Sequence, residues 1–468
     1  MHRALFVSEV LLEVFSHLNP FQSSSWDERL SRKSFAVLAW TCKAFHEPAM
    51  DLLTQRSVRR SWRSEGIEPL SEHEARQLLR HAARVQSLHI STDGHFHLLT
   101  VLPFQKCLFP RLLALDWEHA GNTRRLHLFL SPMLRRCTLS AVHSDLKSIA
   151  TCCPVLESLS IGTFGVPTAD ELSLLSDTVR SCKQLVDLNC PYLDFAAWKY
   201  LSHLPTILAV KINDGISHHP LNRDDLYCAR FLNLTTLIFD VGSCADVITV
   251  MQHSEFPSLK EFQMYANVLP WAKAEQLCHA LSLCKACDTL ERIEIFSCNS
   301  DHSPEPLTVV KRFLCFRQLQ VLSLTVNYDI GLDNDLLLEA MSNWPHIRRL
   351  ELNNPCFMVA PPTVTFRGLF AALRKCPDLH TLQVSIDAVN IDIDATVESF
   401  RHTSLQSLDL SYSDIANPKA VARIILSMLP GVDGIGYNDF ADPDEPTPWH
   451  EVDSLLLEFR NAQAAPTT

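Results

Sequence analysis

Cysteine and histidine residues between positions 278 and 298 are of the types that bind zinc. Cys284 and Cys287 are separated by two residues, and Cys278, His279 and Cys298 lie nearby. Structural zinc sites combine such a pair with a second pair at a similar spacing, and this segment has no second pair. Cys287 also stands at a repeated position, described below, where other copies carry Phe, Trp or Cys. We therefore predict that these cysteines are small buried apolar residues and that the chain binds no metal.

Histidine–glutamate pairs are the second group that could do chemistry, because a metalloprotease helix carries His-Glu followed by another His. His46-Glu47 and His73-Glu74 lack that second histidine at the required distance. Ser71 with Glu74 fits a capping box at the start of a helix. Glycine is scarce at 12 residues against 26 prolines, and neither a phosphate-binding loop nor a G-x-S-x-G elbow occurs. The sequence predicts no catalytic residues, no cofactor and no enzymatic activity.

Composition and charge narrow the possible partners. Apolar residues make up 47% of the 468 residues and charged residues 20%, which is typical of a globular protein. The net charge of −12 is unsuited to the phosphate backbone of nucleic acids. No stretch of 18 apolar residues occurs, and Glu9 and Glu13 interrupt the apolar opening of the chain. We predict a cytoplasmic or nuclear protein that binds neither nucleic acid nor membrane.

The dominant pattern is a triplet of apolar residues spaced as in L-x-x-L-x-L, which occurs fourteen times. The triplets are Val85/Leu88/Ile90, Leu112/Leu115/Trp117, Leu134/Cys137/Leu139, Leu156/Leu159/Ile161, Leu185/Leu188/Cys190, Ile207/Val210/Ile212, Leu234/Leu237/Phe239, Leu259/Phe262/Met264, Leu290/Ile293/Ile295, Leu319/Leu322/Leu324, Ile347/Leu350/Leu352, Leu379/Leu382/Val384, Leu405/Leu408/Leu410 and Val432/Ile435/Tyr437. Successive triplets lie 22 to 32 residues apart, the period of leucine-rich repeats that contain one strand and one helix each.

Residues around the triplets support the same repeat. The position three residues before each triplet is apolar in twelve copies, and proline follows it in eight, where it ends a helix and favours an extended chain. Four segments between triplets are typical of helices: 170–181, 271–283, 333–342 and 366–375. We therefore predict an α/β leucine-rich-repeat solenoid of about 14 repeats over residues 85–438. Its parallel sheet is expected on the concave side and its helices on the convex side.

Side chains between the apolar positions of each triplet should point away from the core, because side chains alternate along a strand. Most of them are expected to be solvated. A subset with charged and aromatic side chains is a candidate binding patch for a protein whose identity the sequence does not reveal. This patch consists of Lys211, Glu261, Tyr265, Arg292, Glu294, Phe296, Arg349 and Glu351.

Both ends of the chain differ from the repeats. Residues 439–468 predict an acidic loop, a helix from Trp449 to Asn461 that seals the last repeat, and a flexible tail. Residues 1–55 predict a small all-α module, and residues 56–84 a helical linker. Within the module, apolar residues at helical spacing follow Ser8, a suitable helix cap, as far as Leu18.

The segments from Val7 to Leu18 and from Ala39 to Phe45 resemble an F-box. The resemblance implies docking to the adaptor subunit of SCF-type cullin–RING ubiquitin ligases, and through it to cullin, with the repeats receiving the substrate. The residues expected to divide between the module's core and the adaptor interface are Val10, Leu11, Val14, Phe15, Leu38, Cys42 and Phe45. The chain departs from the family at Val7-Ser8, where Leu-Pro is usual. An alternative is therefore a ubiquitin-independent scaffold in which the segment caps the repeats.

Overall fold

The chain forms two compact units, residues 1–200 and 201–468, in a computed structural model. The structure describes residues 73, 79, 82–90, 107–118, 126–142, 144–162, 168–191, 193–214, 229–299, 305–353, 361–394, 398–410, 413–436 and 448–464. The F-box-like module of residues 1–55 lies outside the described residues. Most of the linker, residues 56–84, and the loop of residues 439–447 also lie outside the described residues.

The first unit contains a five-stranded parallel sheet in which neighbours in sequence are neighbours in space. Its strands are β1 (Ser87–Ile90), β2 (Ala114–Trp117), β3 (Arg136–Leu139), β4 (Ser158–Ile161) and β5 (Asp187–Cys190). The middle residues of the triplets are paired in register: Leu88 with Leu115, Leu115 with Cys137, Cys137 with Leu159, and Leu159 with Leu188. All of these pairs follow from the repeat pattern.

The second unit contains a nine-stranded parallel sheet with the same kind of register. Its strands are β6 (Ala209–Asp214), β8 (Thr236–Ser243), β10 (Glu261–Val268), β11 (Arg292–Asn299), β12 (Val321–Thr325), β13 (Arg349–Asn353), β14 (Thr381–Gln383), β15 (Ser407–Asp409) and β16 (Ile435–Gly436). Two short strands, β7 (Ala229–Arg230) and β9 (Ser254–Glu255), form a separate parallel pair that the triplets do not predict. The predicted leucine-rich-repeat fold is confirmed, because every triplet supplies one parallel strand.

Helices connect most successive strands and cover the apolar face of the sheet in each unit. They are the 3-10 helix η1 (Leu126–Phe129) and the α-helices α1 (Leu146–Cys152), α2 (Ala169–Ser181), α3 (Phe195–His203), α4 (Ala245–His253), α5 (Trp271–Leu283), α6 (Val309–Phe313), α7 (Asn334–Asn343), α8 (Phe366–Leu373), α9 (Pro418–Met428) and α10 (Pro448–Ala464). The four segments predicted as helices correspond to α2, α5, α7 and α8. Thr168 begins α2 with a capping box that Glu171 completes.

The turn before each strand links one repeat to the next. Its key residue is the one three positions before the triplet, which is buried in most copies, including those where it is polar, Ser131 and His402. Ser131 Oγ donates to the Pro110 carbonyl at 2.9 Å, and His402 Nε2 lies 2.9 Å from the Cys376 carbonyl. Because His402 Nδ1 accepts from the Leu405 amide at 3.2 Å, Nε2 carries the proton and donates. These two buried polar side chains therefore satisfy their hydrogen bonds with the backbone of the preceding repeat.

The last helix covers the end of the second sheet. Trp449, Val452 and Leu456 of α10 are buried where this helix packs against α9 and β16. Trp449 Nε1 donates to the Ser413 carbonyl at 2.8 Å. Asp453 Oδ1 accepts from the Ile435 amide of β16 at 3.2 Å. In the described part of the chain, none of the helices has the length and apolar character needed to cross a membrane.

Candidate protein-binding face

The side chains of the second sheet that alternate with the buried ones form what we call the open face. Five of the eight residues in the predicted patch lie on the adjacent strands β10 and β11 of this face. The parallel register pairs Glu261 with Arg292 and Tyr265 with Phe296, with Glu294 between them. This face is built on strands whose other side is buried, so the backbone positions from which its side chains project are fixed.

The other three predicted residues lie farther along the open face. Lys211 is on β6, and β8 lies between β6 and β10. Arg349 and Glu351 are on β13, and β12 lies between β11 and β13. One intervening strand corresponds to a distance of roughly 10 Å between backbones. Arg349 Nε lies 2.7 Å from Glu351 Oε1. The structure therefore places a compact group on β10 and β11 and keeps the rest of the predicted patch at its edges.

Tyr265 and Phe296, the aromatic pair, are the distinctive feature of the compact group. Their ring centroids are 6.4 Å apart with a tilt of 43° between the ring planes. Tyr265 is 39% exposed and Phe296 is 40% exposed, so each ring keeps a substantial area in contact with water. Exposed aromatic side chains on a rigid surface are typical of the residues that contribute most to protein binding. This pair is therefore the best candidate anchor for a partner.

Charged groups border the aromatic pair and interact with one another. Arg292 Nη1 lies 2.8 Å from Glu294 Oε1, and Arg292 Nε lies 3.3 Å from Glu261 Oε1. Tyr265 Oη lies 3.5 Å from Glu294 Oε2. Burial raises the pKa of the Tyr265 phenol, and the neighbouring carboxylates raise it further, Glu294 most among them. The phenol is consequently a neutral hydrogen-bond donor at physiological pH, next to a surplus of carboxylates.

A shallow groove lies beside this group, at the ends where the strands begin. Its volume is about 260 Å³, and it is lined by Thr235, Thr236, Lys260, Glu261, Glu291, Arg292, Gln320 and Val321. Lys260 Nζ lies 3.1 Å from Glu291 Oε1, and Gln320 Nε2 lies 3.3 Å from Glu291 Oε2. The Lys260, Glu291 and Gln320 side chains that line the groove are therefore already paired with one another. The repeat pattern alone does not reveal this groove, because the residues before each strand vary between copies.

Two of the cysteines considered as zinc ligands, Cys278 and Cys284, belong to the repeat core, and Cys287 is partly buried. Cys278 and Cys284 are both buried, and the Cys287 thiol donates to the Ser282 carbonyl at 3.8 Å. Burial raises the pKa of the Cys284 thiol to about 11 and raises that of the Cys278 thiol as well. The side chain of Cys298 lies outside the described residues.

A histidine held by two carboxylates in the first unit was not singled out from the sequence. His89 Nδ1 lies 2.7 Å from Asp116 Oδ2, and His89 Nε2 lies 3.2 Å from Glu118 Oε2. His89 and Asp116 are paired in register on β1 and β2, at outward positions between apolar ones. The three groups are close enough to share a metal ion. Their own contacts use both ring nitrogens, and exposed carboxylates next to a histidine are common without a metal. Alternation within the first two triplets is the signal that could have identified this cluster.

Comparisons with known proteins give similarity of fold at low sequence identity. No family model matches the chain, and no curated protein matches it. Similar solved structures include an internalin, InlF, from Listeria monocytogenes strain 4b F2365, which is 12% identical with a TM-score of 0.42 and covers 78% of this chain and 89% of its own. A chain of the Toll–Spatzle complex of Drosophila is 12% identical with a TM-score of 0.34 and covers 76% of this chain and 55% of its own.

The leucine-rich-repeat domain of APL1B is also similar. It is 13% identical with a TM-score of 0.28, and the match covers 79% of this chain and 87% of that domain. These TM-scores are low, so the fold assignment depends on the strands themselves. Parallel strands in register at every apolar triplet, each joined to the next by turns and helices, are what make this a leucine-rich-repeat fold.

Proposed function

We propose that the chain is a non-enzymatic interaction protein that binds another protein on the open face of its second unit. The exposed aromatic pair, Tyr265 and Phe296, is the observation that carries this proposal. Two half-exposed rings side by side on a rigid sheet offer apolar area to a partner at little cost in conformational entropy. The bordering Glu261, Arg292 and Glu294 supply the polar rim that protein interfaces have around an apolar centre.

Removing the aromatic pair tests this proposal. We expect Tyr265→Ala/Phe296→Ala to reduce recovery of the specific partners by at least about tenfold, because truncating an anchor residue costs about 2 kcal/mol of binding. Proximity labelling of wild type and variant, followed by a binding assay with the purified partner, measures this loss. Both residues are exposed, so the thermal midpoint should change little.

The matched control removes exposed apolar side chains elsewhere. Leu283 on α5 is 66% exposed and Leu457 on α10 is 53% exposed. Leu283→Ala/Leu457→Ala should retain wild-type partner recovery. Equal recovery of every partner by the aromatic variant and the wild type would mean that the open face at β10 and β11 is not the binding surface.

We further propose that the partner is delivered to an SCF-type ubiquitin ligase. The support is the F-box resemblance of residues 1–55, joined in one chain to a repeat domain with a candidate binding face. In this arrangement the chain binds the ligase adaptor through the apolar stripe of its first helical segment. The ubiquitin transfer itself is carried out by other subunits, which is why the chain needs no catalytic residues of its own.

Introducing acidic residues into that apolar stripe tests whether the chain docks to the adaptor. We expect Leu11→Asp/Phe15→Asp to abolish co-purification of the SCF adaptor, because a carboxylate buried in an apolar interface without a counter-charge is strongly unfavourable. Ser16→Asp is the control, since it adds a carboxylate on the opposite side of the predicted helix. Quantitative pull-down with purified adaptor gives the measurement. Undiminished adaptor recovery by the double variant would exclude docking through this stripe.

The alternative proposal is a ubiquitin-independent scaffold whose first 55 residues cap the repeats. The departure from the F-box pattern at Val7-Ser8 favours it. Deleting residues 1–55 separates the two proposals. A cap should lower the thermal midpoint of the repeats when it is removed, because terminal repeats need a cover for their apolar side. A docking module should leave that midpoint unchanged.

A further inference from the structure

We infer that the aromatic pair receives a cationic side chain, arginine or lysine, from a basic segment of the partner protein. This inference rests on the proposed binding function of the open face and adds the chemistry of what binds there. Three features of the described residues support it: the local balance of charge, the geometry of the two rings and the cost of the other possible occupants.

Charge around the aromatic pair is unbalanced toward carboxylates. Asp240 is paired in register with Tyr265 on β8, and Glu261 and Glu294 lie on β10 and β11. Arg292 is the cation among them, and it already contacts both glutamates. These three carboxylates and one guanidinium together carry a charge of −2. Asp240 is exposed, so its charge is available to an incoming cation.

The rings offer the cation a second attraction. Tyr265 and Phe296 are tilted by 43° with centroids 6.4 Å apart, and each is about two-fifths exposed. A guanidinium or ammonium group over such a ring face is attracted by the negative potential of the π-system. The methylene stem of lysine or arginine can at the same time cover the apolar ring area. Carboxylates and ring faces therefore favour the same occupant.

Other occupants fit less well. An apolar side chain would bury the rings but would partly desolvate the carboxylate of Asp240 without supplying a counter-charge, which is unfavourable. An acidic side chain would be repelled by Asp240 and Glu294. The net charge of −12 on the whole chain acts in the same direction, because it attracts basic partners over a longer range. Electrostatic selection at this position is therefore expected in both affinity and association rate.

A random peptide library displayed on phage tests the inference on the full-length protein. Clones are selected on wild type after counter-selection on Tyr265→Ala/Phe296→Ala, so that only clones dependent on the aromatic pair are kept. We expect these clones to be enriched in arginine or lysine. A synthetic peptide from the best clone should bind about tenfold more weakly when its key arginine is replaced by uncharged citrulline. Its affinity should also fall with added salt.

A charge variant gives a sharper comparison without disturbing the rings. Asp240→Asn should weaken binding of the arginine peptide severalfold and leave the citrulline peptide unaffected. The matched control is Glu339→Gln, which removes one exposed negative charge from α7 and should affect neither peptide. An equal effect of Asp240→Asn on both peptides would contradict electrostatic recognition at this position.

The selection also separates failure of this inference from failure of the proposed function. Clones that depend on the aromatic pair but carry no excess of basic residues would overturn the inference and leave the binding face in place. Absence of any clone that distinguishes wild type from Tyr265→Ala/Phe296→Ala would overturn both.

Discussion

Replacing Leu382 by aspartate is expected to destabilise the second unit by roughly 4 kcal/mol or more, which places the change among the most damaging single substitutions. Leu382 is the middle apolar residue of its triplet, fully buried in β14 between Leu350 of β13 and Leu408 of β15. A carboxylate at this position would lie among apolar side chains without a partner, and it would be forced to stay protonated or to open the sheet.

The neighbouring residue provides the control. Thr381 is half-buried on the open face and is paired in register with Arg349. Thr381→Asp therefore adds the same charge one residue away, next to a cation, and should change the stability by no more than about 0.5 kcal/mol. Urea denaturation followed by circular dichroism measures both variants, and hydrogen exchange of residues 361–436 reports the local effect. Similar midpoints for the two variants would contradict the alternation of faces in β14.

Truncating Trp344 to alanine is expected to cost about 3–5 kcal/mol, because it removes a large fully buried ring and leaves a cavity. Trp344 stands three residues before a triplet and is 0% exposed. Its Nε1 donates to the Phe313 carbonyl at 3.1 Å, and its own carbonyl lies 3.6 Å from the Cys376 thiol. The indole ring therefore links its own repeat to the preceding one, and its loss should weaken the coupling between these two repeats as well as lower the total stability.

The phenylalanine variant separates packing from hydrogen bonding at this site. Trp344→Phe keeps most of the apolar volume and loses the indole donor. The Phe313 carbonyl still accepts from the Phe316 amide at 3.0 Å, so the loss should be only about 1–2 kcal/mol. Denaturant midpoints and slopes measure the difference between the two variants. If Trp344→Ala lost less stability than Trp344→Phe, the ring could not be a core residue of the repeat.

The open face illustrates which part of the candidate site could be predicted. Alternation along the strands correctly indicates that Tyr265, Arg292 and Phe296 point away from the core. It does not indicate that Arg292 contacts carboxylates on its own strand and on β10. Such contacts depend on side-chain rotamers, which the triplets do not specify.

The His89 cluster shows the same limit. His89 and Glu118 lie 29 positions apart in sequence, and neither is unusual in its own repeat. The pairing of β1 with β2 places His89 beside Asp116, and the side-chain conformations then bring the imidazole within hydrogen-bond distance of both carboxylates. In the same way, His402 and Ser131 do not fit the apolar pattern before the triplets. They are nonetheless buried, because the carbonyl groups of the preceding repeat satisfy their polar atoms.

By itself, the amino-acid sequence determined the strands, their order and their register. The three apolar residues of each L-x-x-L-x-L motif can be buried only if neighbouring copies stack side by side. The tertiary structure alone decided the division into two units, the β7–β9 pair and the grouping of charged and aromatic side chains on β10 and β11. The reason is physical: burial of a repeated apolar pattern is a local and periodic requirement. The open face is determined instead by contacts between residues of different repeats that share no pattern.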